Sequence, residues 1–276
     1  MLSRLALIAL AGCAPAAASP GGDVLRLLSG DATTIEADWT AREGGHRFAV
    51  VRDGAPVRPA ISDHHAFGAR GLAFEVPTDT SGHKQRVEYK LLEAAAPDGL
   101  HFDNARYIGF AFQLAAKPAP FLGSAIFCQA WQGFPYGPPV SLKLVTDDKP
   151  PYRIKLAIRD TATGPDSKNP DIELWSDRRI DPGAWHTFLL YLEPRVTGTG
   201  HIKLWIDREK VVDWSGPFGY DPAKVKGAYA GLDLKTGIYQ PDANNGHTFY
   251  FDQIVVTTTY EAAASALGWV GAGSAR

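Results

Sequence analysis

An ammonium and a phenol stand close together in Leu234–Gln240, LKTGIYQ. Read as a strand, alternation sets Lys235, Gly237 and Tyr239 on one face and Leu234, Thr236 and Ile238 on the other. The second face is mainly apolar and suits a core. The first offers a cation and a phenolic hydroxyl that can give or take a proton, separated by a glycine that leaves room above the backbone. At about 3.3 Å per residue, Lys235 and Tyr239 lie roughly 13 Å apart along the strand, far enough to meet different parts of one polymer chain. A solvated strand face with one lysine and one tyrosine is the alternative that this stretch alone leaves open.

Other stretches carry polar groups at the same period. Gln85–Leu92 (QRVEYKLL) sets Arg86, Glu88 and Lys90 against Val87, Tyr89 and Leu91. Ser124–Gln132 (SAIFCQAWQ) reads as a buried strand with Phe127, Gln129 and Trp131 on one side and Ile126, Cys128 and Ala130 on the other. Tyr152–Arg159, paired with Val140–Val145, aligns Arg153, Lys155 and Arg159 as a basic strip. The loop Ile61–Gly71 holds the pair His64-His65.

These groups need strands to position them, and the composition supplies strands. The chain has 276 residues, 45% hydrophobic and 21% charged, with a net charge of −2. That is enough chain for one generous core without disulfide staples. The near-neutral charge argues against a nucleic-acid binder. With 28 glycines and 20 prolines, turn signals are dense and separate about a dozen short β-branched and aromatic runs. Further strands are expected at Arg47–Arg52, Leu72–Val76, Tyr107–Leu114, Ile172–Ser176, Trp185–Leu192 and Thr248–Thr257, with a hairpin of His201–Asp207 and Lys210–Trp214 around Arg208-Glu209. No fixed-length repeat appears. The expected architecture is all-β: a jelly-roll sandwich of two antiparallel sheets.

The first residues are expected to lie outside this fold. Met1–Arg4 is a basic start, Leu5–Leu10 a short apolar run, and Leu10-Ala11-Gly12-Cys13 follows. The run is too short to span a bilayer as a helix and reads as a secretory signal. Its tetrapeptide resembles a bacterial lipobox, in which Cys13 would carry the lipid; plain signal cleavage within Ala14–Ser19 is the alternative. The expected organisation is a signal over 1–19, a linker over 20–30, one domain over 31–260 and a flexible tail over 261–276. Lipidation would leave Cys128 alone, buried and inert, with no intramolecular disulfide. The expected location is the cell envelope (outer membrane or periplasm) or outside the cell, and a lipid at Cys13 is the one expected membrane contact.

Three strands in order resemble a family. Arg86-Val87-Glu88-Tyr89-Lys90 is similar to the R-x-E-x-R strand of alginate lyases. Gln129-Ala130-Trp131 sits where they carry Q-x-H, and LKTGIYQ resembles their Y-x-K-x-G-x-Y-x-Q strand. The second half, with Trp185-His186 and His201–Asp207 (HIKLWID), is closer to the glucuronan lyase and heparin lyase type. The resemblance covers roughly Arg47 to Val256. It implies a concanavalin-like jelly roll whose concave sheet binds a uronic-acid polysaccharide and cleaves it by β-elimination at the 4-O-glycosidic bond; the protein is expected to act as a monomer. It departs at Trp131, where those lyases place a histidine, so either another base serves or catalysis is lost.

β-Elimination takes the C5 proton of a uronate and expels the 4-O-linked sugar. Charge develops beside an existing carboxylate, so fixed donors must neutralise it, usually the largest catalytic contribution. Arg86, Gln129 and Lys235 are the expected donors. Tyr239 is the expected acid, and the base as well if a neighbouring cation lowers its pKa. His83, upstream of Arg86 at the mouth of its strand, is a second candidate base, with His64 and His65 behind it as base or as substrate contacts. Glu88 is expected to orient Arg86 or Lys90. Arg153 and Lys155 are expected to meet carboxylates of neighbouring sugars, and Trp131 either to stack on a sugar ring or to fill core. His186 is expected to be structural.

No cofactor is expected to be required. No His/Cys/carboxylate cluster has ligand spacing, although loop oxygens can hold a structural calcium. Two other functions stay open. A glycoside hydrolase on this sandwich needs paired carboxyl groups, and Asp171 with Glu173 is the nearest pair. A non-catalytic carbohydrate-binding lipoprotein would account for Trp131 and the many aromatics.

Overall fold

The computed structural model describes residues 23–53, 58–79, 84–116, 124–133, 136–145, 150–159, 171–240 and 244–269. It begins with β1 (Val24–Leu28) and a three-stranded unit of β2 (Thr34–Ile35), β3 (Ala41–Glu43) and β4 (His46–Phe48). Then come β5 (Val50–Asp53), β6 (Arg58–Ser62), β7 (Gly71–Asp79), β8 (Gln85–Leu92), β9 (Leu100–His101) and β10 (Arg106–Leu114). The middle of the chain forms β11 (Ser124–Trp131), β12 (Val140–Val145), β13 (Tyr152–Arg159), β14 (Asp171–Ile180) and β15 (His186–Glu193). β16 (Arg195–Ile206), β17 (Glu209–Phe218), β18 (Gly231–Gln240), β19 (Asn244–Thr257) and helix α1 (Tyr260–Ala266) follow.

Two large antiparallel sheets result, and the fold is the expected jelly-roll sandwich. The first has the order β17-β16-β15-β10-β19-β7-β6, with β1 on β19. The second has the order β14-β13-β12-β11-β18-β8-β5, with β9 on β18. Phe110, Phe112, Phe188, Phe249 and Phe251 from the first sheet meet Tyr89 and Phe127 from the second in one core. Phe112 and Phe127 stack across the two sheets with ring centroids 4.8 Å apart. Burying each such ring fully contributes about 1.5–3 kcal/mol. That alternation fills the inner face of the second sheet leaves its outer face free for polar groups.

Bulges break the alternation where it matters. In β11 the register against β12 passes from Ile126↔Lys143 to Cys128↔Leu142, one extra residue on β11. Phe127 therefore turns into the core with Cys128 and Ala130, and does not share the face of Gln129 and Trp131. The Phe127 carbonyl accepts a hydrogen bond from Thr236 Oγ1 at 3.0 Å. Against β18, Ile126↔Tyr239 gives way to Cys128↔Thr236, so β18 carries the extra residue there. Gly237 sits in that bulge at φ +137°, and a Cβ on it would lie 2.4 Å from the Val87 carbonyl oxygen. The glycine is needed for the close approach of two strands; the expected space above it for a ligand is not its role.

Several boundaries differ from expectation. Val24–Leu28, inside the stretch expected as linker, is a strand on β19 because its residues complete the edge of the first sheet. Residues 261–269, within the expected tail, are packed, and a short alanine-rich helix stands where the sequence Glu261–Leu267 suggests one. Thr259 caps α1, and Ala263, Leu267 and Trp269 bury against Leu189 on the outer face of the first sheet. Arg47–Arg52 is divided between β4 and β5, which belong to different sheets. The β16–β17 hairpin turns at Asp207-Arg208, both at positive φ (51° and 74°), the conformation of a two-residue turn matching the strand twist. Cys13 and His83 lie outside the described residues.

Candidate active site

Register alone assembles the site. Across β11, β18 and β8, Gln129 faces Lys235 and Lys235 faces Lys90. Trp131 faces Asp233, Tyr239 faces Arg86, and Gly237 faces Glu88. Partners directly opposite in an antiparallel pair point to the same side, so these side chains share the outer face of the second sheet. Val87, Tyr89, Leu234 and Ile238 point the other way into the core.

A buried carboxylate lies at the centre. Glu88 has no exposed surface, and its two oxygens accept from Arg86 Nε and Gln129 Nε2, each at 2.5 Å. A buried charge is tolerable when it is paired and hydrogen-bonded in this way. Glu88 thus orients Arg86, as expected. Gln129 is 2% exposed and commits one of its two amide hydrogens to Glu88.

A second carboxylate, Asp233, was outside the sequence reading because β18 begins at Gly231 rather than Leu234. It continues the Lys235/Tyr239 alternation one step upstream, which is the signal that could have found it. Its Oδ1 accepts the Ala94 amide at 2.8 Å, and its Oδ2 lies 3.3 Å from Lys90 Nζ and 3.8 Å from Lys235 Nζ. Three cations (Arg86, Lys90, Lys235) thus meet three carboxylates: Glu88, Asp233 and Glu93, whose Oε1 lies 3.8 Å from Lys90 Nζ.

Lys235 is 2% exposed. Its Nζ lies 3.7 Å from the centroid of the Trp131 ring, a cation–π contact. Burial lowers its pKa to about 8; Glu88 and Asp233 oppose that shift, while Arg86 and Lys90 add to it. Trp131 is half-buried, and so is not a core residue. Its Nε1 donates to the Tyr136 carbonyl at 3.1 Å, and its ring meets Tyr229 edge-on at 5.6 Å. Lys235 covers one face of the ring. Tyr239 is half-buried, with the Arg86 guanidinium carbon 5.0 Å above its ring. Burial pushes the Cys128 thiol up to about 12, with Glu88 adding to it, so the cysteine is inert as expected.

The basic strip shares this face through Gln129↔Ser141↔Ala157 and Lys143↔Lys155. It stands three strand spacings from β18, about 14 Å at about 4.8 Å per spacing. Its charges are matched: Lys155 lies 3.2 Å from Glu173, and Arg159 lies 3.4 Å from Asp171, which also pairs with Lys143. Arg153 donates to Ser176 Oγ at 3.4 Å. The same ion pairs tie up Asp171 and Glu173, the carboxyl groups that a hydrolase would need.

His64 and His65 are not brought to the site. They are exposed in the loop after β6, on the other sheet, where the His64 ring lies 4.6 Å from that of Tyr250. Tyr250 alternates with the core residues Phe249 and Phe251 and points outward. Hydrogen bonds from Ala66 and Phe67 to Asp252 and from Ala69 and Arg70 to Asp31 fix that loop away from β18. His186 is structural, its Nδ1 lying 2.8 Å from Asp207 Oδ2. Among the described residues, no group of three His, Cys, Asp or Glu side chains is placed to hold a metal ion.

A two-sheet sandwich that displays cations, a phenol and an indole on one outer sheet face is a jelly-roll protein with a charged outer face. The chain belongs to the polysaccharide lyase family, whose model matches residues 37–255. Its fold is similar to that of an endo-β-1,4-glucuronan lyase from the fungus Trichoderma reesei, at 16% identity and a TM-score of 0.56, covering 76% of this chain and 90% of that one. An alginate lyase from Pseudomonas aeruginosa aligns at 17% identity and a TM-score of 0.45, over 68% of this chain and 83% of that one. No curated protein matches the chain in sequence.

Proposed function

We propose that this lyase cleaves a glucuronan-like uronate polymer by β-elimination at the 4-O-glycosidic bond. The observation that carries the reading is the convergence of Arg86, Lys90 and Lys235 on one sheet face, beside a tyrosine that can protonate a leaving oxygen. A uronate carboxylate bound there meets fixed cations, and removal of the C5 proton adds charge where Arg86 is already held by Glu88. Preorganised charge of this kind needs no rearrangement as the reaction proceeds. Tyr239 Oη then donates its proton to the departing sugar oxygen. The fold shared with the glucuronan lyase from Trichoderma reesei supports glucuronan over other uronates.

The leader Met1–Cys13 supports export, with lipid attachment at Cys13 tethering the enzyme at the cell envelope. The test of the activity is ultraviolet absorbance of the unsaturated uronate product, with purified protein and a panel of glucuronan, alginate and heparin-type polymers. A rise with glucuronan alone supports the specificity. A rise with another polymer moves the substrate, and new reducing ends without absorbance would replace elimination by hydrolysis.

A further inference from the structure

The loop between β17 and β18 borders the cation face and leaves one aromatic ring in solvent. Tyr229 is 43% exposed, one of two large apolar side chains so exposed among the described residues. Its ring lies 5.6 Å from that of Trp131, at 89° to it, and Trp131 in turn covers Lys235. We propose that Tyr229 is a sugar-stacking platform, which grips the polymer at the Trp131 end of the face, away from the bond cut beside Tyr239. The inference rests on the elimination reading and adds where the chain is held.

The loop around the ring is firmly built. Gln132, directly after β11, has no exposed surface. Its Nε2 donates to the carbonyls of Tyr220 and Tyr229, at 2.6 and 2.9 Å, and its Oε1 accepts the Tyr220 amide at 2.6 Å. The Tyr229 amide donates to the Gln132 carbonyl at 2.9 Å. Both backbone polar groups of Tyr229 are thus tied to one buried residue. Tyr136 Oη donates to the Lys226 carbonyl at 2.7 Å, and Tyr220 and Val225 are buried. Gly133, at φ +113°, admits the Gly227 carbonyl oxygen to within 2.4 Å of where a Cβ would stand. The loop therefore packs its other large apolar side chains inward and holds this ring out. A side chain on so fixed a backbone loses little freedom when a ligand binds.

Position gives the ring its role. Trp131 faces Asp233, six residues from Tyr239 on β18. At about 3.3 Å per residue the interval is roughly 20 Å, so Tyr229 and Tyr239 meet different sugars of one chain. Lys235, Lys90 and Arg86 line that interval. The cations suit carboxylates, whereas a tyrosine ring offers an apolar surface to the C–H face of a pyranose. Tyr229 contributes affinity for the length of the polymer and takes no part in the chemistry.

Tyr229→Ala and Tyr229→Phe decide the point, assayed by product absorbance on glucuronan and on its shorter oligosaccharides. Tyr229→Ala is expected to raise KM for the polymer about 10-fold and to lower kcat little, the pattern of lost uniform binding. Tyr229→Phe keeps the ring and is expected to restore KM to within about twofold of wild type. The gap between Tyr229→Ala and wild type closes as the substrate becomes too short to reach from Tyr239 to the ring. A wild-type KM in Tyr229→Ala overturns the proposal, as does a loss that Tyr229→Phe does not rescue or that is equal at every substrate length. Should Tyr229→Ala not fold, Tyr229→Leu keeps apolar bulk without a flat ring, and the same rise is expected of it. Failure of the elimination reading looks different: the wild type then forms no unsaturated product from any uronate polymer. In that case calorimetric binding of glucuronan to wild type and Tyr229→Ala tests the platform alone, and equal or absent binding overturns it.

Discussion

Arg86 and Tyr239 sit directly opposite each other across β8 and β18, with the guanidinium carbon 5.0 Å above the phenol ring. The same guanidinium donates through Nε to Glu88. One arginine thus ties Tyr239, the proposed proton donor, to the buried carboxylate Glu88, and several consequences can be measured.

Tyr239→Phe keeps the ring beneath Arg86 and removes only the hydroxyl. Turnover is expected to fall by about 100-fold or more, the lower end of what general acid catalysis contributes, with the melting temperature unchanged. Wild-type rates of product absorbance in this variant would take Tyr239 out of the mechanism.

Gln129→Ala withdraws a donor from the fully buried Glu88 carboxylate. Stability is expected to drop by about 1–3 kcal/mol, the usual cost of a buried acceptor left short of a partner. Gln129→Glu costs more, because it sets a second carboxylate against Glu88. Urea midpoints for the two variants give the comparison; a neutral Gln129→Ala would mean that water satisfies Glu88 without the amide.

Gly237→Ala meets the Val87 carbonyl at 2.4 Å and forces a side chain to φ +137°. The strain and the displaced β8 strand are expected to destabilise the fold by about 2 kcal/mol or more and to shift Tyr239 relative to Arg86. Thermal melts read the first effect and kcat the second. An alanine variant of wild-type stability would show that the bulge relaxes freely.

His247 governs part of the acid response. Burial lowers its pKa from 6.5 to about 4, so between these values the unfolded chain binds a proton that the folded one does not. Its contribution to stability is fully present above pH 6.5 and is lost as pH falls toward 4, by about 3 kcal/mol at 1.36 kcal/mol per pKa unit. Asp252, raised to about 6 mainly by burial, has the opposite sign over the same interval. In His247→Phe the loss of stability between pH 6.5 and 4, read from urea midpoints, should shrink or reverse. An unchanged acid slope would assign the response to other groups.

Much of the site was legible in sequence. Period-two alternation is a local property, so Lys235 with Tyr239 and Arg86 with Glu88 could be placed on common faces from spacing alone. The motif order implied the sandwich, and the structure has it. Asp233 escaped because the strand starts three residues earlier than its apolar pattern suggests. Phe127 was set on the wrong face because a bulge is a relation between two strands and leaves no mark on the period of one.

What the amino-acid order determines by itself is therefore the set of strands, which face of each is polar, and the presence of an acid and several cations on those faces. Tertiary structure decides what those groups can do. His64 and His65 are reactive by type but are held on the other sheet by Asp252 and Asp31. Gln129 is a donor by type, and Glu88 takes one of its two amide hydrogens. Lys235 is an ordinary lysine until Trp131, from a distant part of the chain, closes over it. A proton affinity depends on the solvent and charges around a group, and these exist only once the strands have paired.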